Sequence, residues 1–215
     1  MIGLVPGRCQ LGAGRRALAS LVLLALPACS LTPEGDPLRP RSFTAEGEVA
    51  VTSSAQGQGP WLRLGRVRAA EHLGFRIAWR EGAVQGHYER RRWSESPVVY
   101  LERALVRQLY HQEGLRRALT PGHPTLEVTL LGWEELKGDL DEGRVPRASA
   151  ALGYVLLLRD QVLAEGRLAV ELPVGTLEEL EELDDPAPRS VAALSLALRQ
   201  AVADLAKLVI GKLSS

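Results

Sequence analysis

Cysteine, histidine, carboxylate and arginine side chains are the groups in this chain that could carry chemistry, and their spacing separates them. His72, His87, His111 and His123 stand far apart and share no metal-ligand spacing. No Gly-x-Ser-x-Gly elbow, Walker lysine or His-Glu-x-x-His occurs. Gly57-Gln58-Gly59 lacks the Gly-Lys-Ser/Thr or third glycine that a phosphate loop needs, so it reads as a loop. Carboxylates are plentiful, but no spacing singles out a pair. The chain is therefore expected to have no catalytic residues, no metal and no cofactor, and not to be an enzyme. Cys29 is different, because its position prescribes a reaction. It follows Leu26-Pro27-Ala28 at the end of an apolar run.

The residues before Cys29 have the layout of an export signal. Arg8, Arg15 and Arg16 form a basic start with no acid before Glu34, and Ala17–Leu26 is a short apolar stretch. Ten or so apolar residues are too few to span a bilayer, which takes about 20. A basic region followed by a short apolar one is a secretory signal. Leu26-Pro27-Ala28-Cys29 resembles a bacterial lipobox, in which the signal is removed before the cysteine and the cysteine is acylated. Residues 1–28 are thus expected to be a lipoprotein signal peptide, residues 29–42 a flexible tether, and residues 43–215 a single domain. Three prolines between Ser30 and Arg41 fit a tether. Ser30 stands where an Asp would retain a lipoprotein at the inner membrane, so the outer membrane is expected, with the domain facing the periplasm.

Removing the signal takes away three arginines and shifts the net charge from zero to −3. A balanced or slightly acidic chain is not built for nucleic acid. Cys9 leaves with the signal and Cys29 is consumed by lipid, so the exported domain has no cysteine left for a disulfide. Its stability must come from an apolar core.

Apolar alternation predicts strands over 61–68, 75–80, 84–92, 125–131, 148–158 and 162–172, with a weaker strand around 48–51. Ser94-Glu95-Ser96-Pro97 opens a helix that Gly114 ends. Residues 133–142 read as a polar connection and 173–188 as a linker. From Arg189 to Lys212, Val191, Leu194, Leu198, Ala201, Leu205 and Leu208 form one apolar stripe. That stripe packs on the sheet or also serves a subunit contact. The expected fold is α+β, a largely antiparallel sheet with two helices packed on one face.

Arg90-Arg91-Arg92 is the densest positive site of the exported chain. It reads either as a charged edge that blocks strand addition or as a contact to anionic headgroups or an acidic partner. The acids Glu178, Glu179, Glu181, Glu182, Asp184 and Asp185 read as a solvated loop, and Trp61, Trp79, Trp93 and Trp133 as packing anchors.

Several of these segments together carry a family resemblance. A lipobox is followed by Ile77-Ala78-Trp79-Arg80, then by Arg92-Trp93-Ser94-Glu95-Ser96-Pro97 leading into a helix with Leu101, Leu105 and Leu109. A hairpin with its turn at Asp160 and an Ala/Leu-rich C-terminal helix complete the set. This pattern resembles the ABC-type transport auxiliary lipoproteins, the PqiC-like family, over roughly 66–112 and 147–212. Trp79 stands where members carry Tyr, Ser94 where they carry Ala, and 43–60 is weakly patterned where they begin a clear strand. The resemblance implies a membrane-anchored accessory lipoprotein without enzymatic activity. Its partner would be an MCE-domain protein of an ABC transport system that moves lipids or other hydrophobic molecules across the envelope. Only the acylated cysteine carries over, onto Cys29. The alternative is an envelope assembly lipoprotein of the lipopolysaccharide-assembly type. The partners expected are the membrane, through acylated Cys29, the MCE-domain protein and a second copy in a homo-oligomer, with no nucleic acid.

The lipobox reading is tested by Cys29→Ser. The variant is expected to incorporate no labelled fatty acid and to leave the detergent-soluble lipoprotein fraction; continued labelling would overturn the reading.

Overall fold

The computed structural model describes residues 39–45, 57–139, 142–159, 161–181 and 185–214. Cys29, the signal, most of the tether, the expected strand around 48–51 and Asp160 lie outside them.

The sheet is organised on one long strand. β6 (Thr125–Leu136) pairs along one side with β7 (Arg147–Leu158), which in turn pairs with β8 (Gln161–Pro173), all antiparallel. Leu158 pairs with Gln161, and Arg159 turns the chain with φ 56. The other side of β6 is shared by two strands, both parallel to it. β2 (Trp61–Ala69) pairs with its first half and β3 (Arg76–Glu81) with its last three residues. β3 forms a hairpin with β4 (Val84–Trp93) through Gly82, whose φ of 56 suits a residue without a Cβ. β1 (Arg41–Phe43) adds in parallel outside β4, and β5 (Arg116–Arg117) in parallel outside β2.

The α+β class and the two long hairpins agree with the sequence. Three details differ. The sheet is mixed, because β2 and β3 are consecutive yet lie in line along β6 instead of pairing with each other. Arg41 and Ser42, read as tether, already belong to β1. Three helices are described where two were expected: α1 (Pro97–Val106), a short α2 (Leu177–Glu181) inside the stretch read as a linker, and α3 (Ala187–Leu213).

α1 packs against β2 and β6, α3 against β6, β7 and β8, and the two helices touch each other. Pro97 starts α1, where its missing N–H costs nothing. Beyond Val106 the helix widens to π geometry over Arg107–Gln112, with Glu113 N–H bonded to the Gln108 carbonyl at 2.9 Å. Gly114, at φ 68, then ends it as expected. In α3, Val191, Leu194, Leu198, Ala201 and Leu205 are buried, but Leu208 is 48% exposed and Val209 takes its place. The cause is drift. A heptad-like spacing slips by about 20° every seven residues on a straight helix, so the last member of the stripe rotates out.

The polar connection expected over 133–142 is in part a strand. β6 continues to Leu136, and Trp133, Glu134 and Glu135 are all buried. Trp133 stacks on Trp93 with centroids 4.0 Å apart and planes 1° from parallel. Tyr100 meets both rings edge-on, at 5.9 and 5.8 Å. The Trp133 indole N–H donates to the Leu194 carbonyl at 2.9 Å. Trp93 and Trp133 are the packing anchors expected, whereas Trp61 is 42% exposed.

Leu198, 3% exposed, is a direct test of the packing. Leu198→Asp buries an unpaired carboxylate, which costs several kcal/mol of a total stability of about 5–15 kcal/mol. The urea midpoint is expected to fall sharply; wild-type unfolding would mean that the stripe faces a partner.

Candidate functional site

The arginine run lies where β4 loses its regular pairing. Between Ala78↔His87 and Arg76↔Arg92 the register slips by three residues on the β4 side. A bulge of this kind re-aims side chains, so strict alternation does not place the three arginines. Arg91–Trp93 also pair with Arg41–Phe43, so this stretch is covered by β1 and is not a bare edge.

The three guanidinium groups end in three environments. Arg91 sits over the Tyr88 ring, 4.3 Å from its centroid, and 3.8 Å from the Asp185 carboxylate. Arg90 is exposed. Arg92 lies directly across from Arg76, and its Nε is buried without a hydrogen-bond partner. Like charges in directly opposed positions destabilise a strand pair. Arg76 and Arg92 line an open depression together with Glu71, His72, Phe75 and His87. The His87 ring, as its Nε2–H tautomer, donates to the His72 carbonyl at 2.9 Å. Phe75 is 55% exposed at the rim. Two arginines facing each other beside an exposed ring make a surface that can accept an anionic group. Among the described residues no group of three or more metal-ligating side chains converges.

The described acids of 178–185 hold the fold together more than a solvated loop would. Thr176 and Glu179 form a capping box for α2: Thr176 N–H donates to Glu179 Oε2 at 3.0 Å, and Glu179 N–H to Thr176 Oγ1 at 3.3 Å. The first of these bonds, and then Arg189 at 2.7 Å, hold the Glu179 carboxyl below its usual range. Asp185 accepts from Ala187 N–H at 3.0 Å at the start of α3 and pairs with Arg41 and Arg91. The Ala187 bond, foremost, lowers its pKa.

Sequence reasoning missed a buried polar cluster at the end of β6. Glu134 meets Arg80 at 2.7 Å and accepts from Gln85 at 3.0 Å. Glu135 accepts from the Tyr88 hydroxyl at 2.8 Å, with Lys137 4.0 Å away, and its Oε2 is buried without a partner. Burial, followed by the charge and hydrogen bond of Glu135, pushes the Tyr88 phenol well up, against the opposing pull of Arg91. Gly86 is required beside this cluster, since a Cβ there would come within 2.4 Å of the Trp79 ring.

Two solved structures share this fold. Protein XCC0632 from Xanthomonas campestris, described as family DUF330, superposes with a TM-score of 0.60 at 18% identity, over 80% of this chain and 96% of that one. A second structure, described as an uncharacterized protein, gives 0.56 at 16% identity, over 80% and 99%. A minor lipoprotein from Acinetobacter baumannii gives 0.39 at 12% identity, over 72% and 91%. No family model and no curated protein matches the chain.

Tyr88 generates a prediction. Tyr88→Phe removes the hydroxyl donor of Glu135 Oε1 from a carboxylate whose Oε2 is already unpartnered, and is expected to lose about 1–3 kcal/mol at neutral pH. A raised phenol pKa means that the wild-type contribution is complete below the unfolded value of about 10 and is lost as pH rises above it. The gap between wild type and Tyr88→Phe, measured by urea unfolding, should therefore narrow above pH 10; a constant gap would refute the assignment.

Proposed function

We propose that this chain is a non-enzymatic accessory lipoprotein of an MCE-type ABC transport system, anchored at the outer membrane through acylated Cys29 with its domain in the periplasm. The observation that carries this reading is the segment from Arg92 to Pro97. Trp93 lies in the core in the indole stack, Glu95 pairs with Arg103 at 2.5 Å, and Pro97 is buried in the first turn of α1. The segment thus marks a particular packing arrangement, and it occurs downstream of a lipobox. The fold shared with the Xanthomonas protein supports the reading at the level of architecture.

In this reading the domain works by contact. It docks on the MCE-domain protein, alone or as a homo-oligomer, and helps hydrophobic cargo cross the envelope. Arg92 and Arg76, with exposed Arg90 nearby, form the contact to an acidic partner surface or to headgroups. Arg91 is already committed to Tyr88 and Asp185.

Co-purification in mild detergent followed by mass spectrometry tests the assignment, with an MCE-domain protein expected among the retained partners. Arg90→Gln/Arg92→Gln should fold normally but bind that partner, or anionic vesicles, several-fold more weakly at low salt. The difference should shrink as salt rises, because screening shortens to about 8–10 Å near physiological ionic strength. Equal binding at low salt would remove the arginines from the contact, and capture of an unrelated envelope-assembly complex would overturn the transport assignment.

A further inference from the structure

A groove of about 290 Å³ runs between the π-wound end of α1 and α3. Ala104, Leu196, Val202 and Ala203 are its apolar lining, and Arg107, Arg199 and three glutamines its polar lining; no acid is among the lining residues. Leu196 is 48% exposed at its edge. Arg199 is half-buried, and its Nε is buried without a hydrogen-bond partner. The π segment contributes Arg107, Gln108 and Gln112 to the same wall. Such segments are rare and recur at functional sites. A second, smaller cavity shares Ala104, Arg107 and Arg199 and continues the groove toward Tyr100.

We propose that this groove binds one anion-headed alkyl chain. The chain lies on Ala104, Leu196, Val202 and Ala203. The head sits at Arg199 and Arg107, and glutamine amides supply further donors. Guanidinium groups bind carboxylate and phosphate through paired N–H bonds. The volume decides against a two-tailed lipid lying whole in the groove, since sites for drug-sized ligands start near about 300 Å³. The shared chemistry is an anion on a single chain, and its source is either a fatty carboxylate or a phosphate-headed lipid. This inference stands on the groove's own geometry and does not depend on the transport reading.

The test uses the full chain carrying Cys29→Ser, purified without detergent, and titration calorimetry with decanoate, decyl phosphate and decanol below their aggregation limits. At least one anion is expected to bind one-to-one, with decanol about tenfold weaker or more. The preferred anion identifies the source. Arg199→Gln should lose about tenfold in anion affinity with an unchanged Tm, and Ala203→Phe, at a half-buried position, should abolish binding by filling the groove. If Arg199→Gln unfolds, Ala203→Phe decides alone. No anion binding, decanol binding as tightly as the anions, or full affinity in Ala203→Phe would overturn the proposal. Failure to recover an MCE-domain protein would sink the transport assignment and leave this site standing.

Discussion

The stack of Trp93 on Trp133 is the contact on which the rest of the structure depends. It joins the end of β4 to the middle of β6. Tyr100 seals it from α1, and the Trp133 indole N–H fixes α3 through the Leu194 carbonyl. Aromatic pairs of this kind contribute about 0.5–1.5 kcal/mol beyond burial, and a buried indole needs a partner for its N–H. Ser94 extends the arrangement, since its hydroxyl lies 2.8 Å from the Tyr100 hydroxyl and 3.1 Å from that of Thr44 beside β1. Four elements are positioned by residues within or touching one short segment. A sequence pattern made of packing residues reports the fold, and the arginine–tryptophan–proline segment does so here.

The second constraint is the pair of acids that follows Trp133. Buried carboxyl groups are unfavourable unless they are hydrogen-bonded. Glu134 is bonded by Arg80 and Gln85 of the β3–β4 hairpin, and Glu135 by Tyr88. These bonds tie the hairpin to the end of β6 and so hold β3 in line with β2. A one-residue slip of the hairpin would exchange the faces of its side chains and leave both acids unpaired. The polar cluster thus specifies register where the apolar pattern is short, since only three residues of β3 pair with β6.

What the sequence made legible follows from how far each signal is local. β7 is a long apolar run and β8 alternates over more than ten residues, with Arg159-Asp160 between them in the sequence, so their pairing is readable. The α3 stripe is readable up to Leu205 and fails at Leu208, where period and pattern part. The in-line placement of β2 and β3 is not readable, because it is decided by β6, some sixty residues downstream. Glu134 and Glu135 have the composition of a loop, and their pairing with β7 and β3, with side-chain partners in the β3–β4 hairpin, makes them a strand. For the candidate site, the arginines were visible but their environments were not. The bulge in β4, the cover from β1 and the facing Arg76 are all tertiary facts.

Those environments separate cations that look alike in the sequence. Arg91 has a ring and a carboxylate, whereas Arg92 and Arg199 each carry a buried Nε with no partner. These two lie on different elements, yet each lines a concavity. The third buried unpaired atom among the described residues, Glu135 Oε2, belongs instead to the cluster at the end of β6. An unsatisfied buried donor is unfavourable, so each of these guanidinium groups carries a cost that Arg91 does not. Glu134, Glu135, Glu179 and Asp185 are answered from within the chain, whereas Arg92 and Arg199 each keep a buried Nε without a partner. That asymmetry separates Arg92 and Arg199 from Arg91.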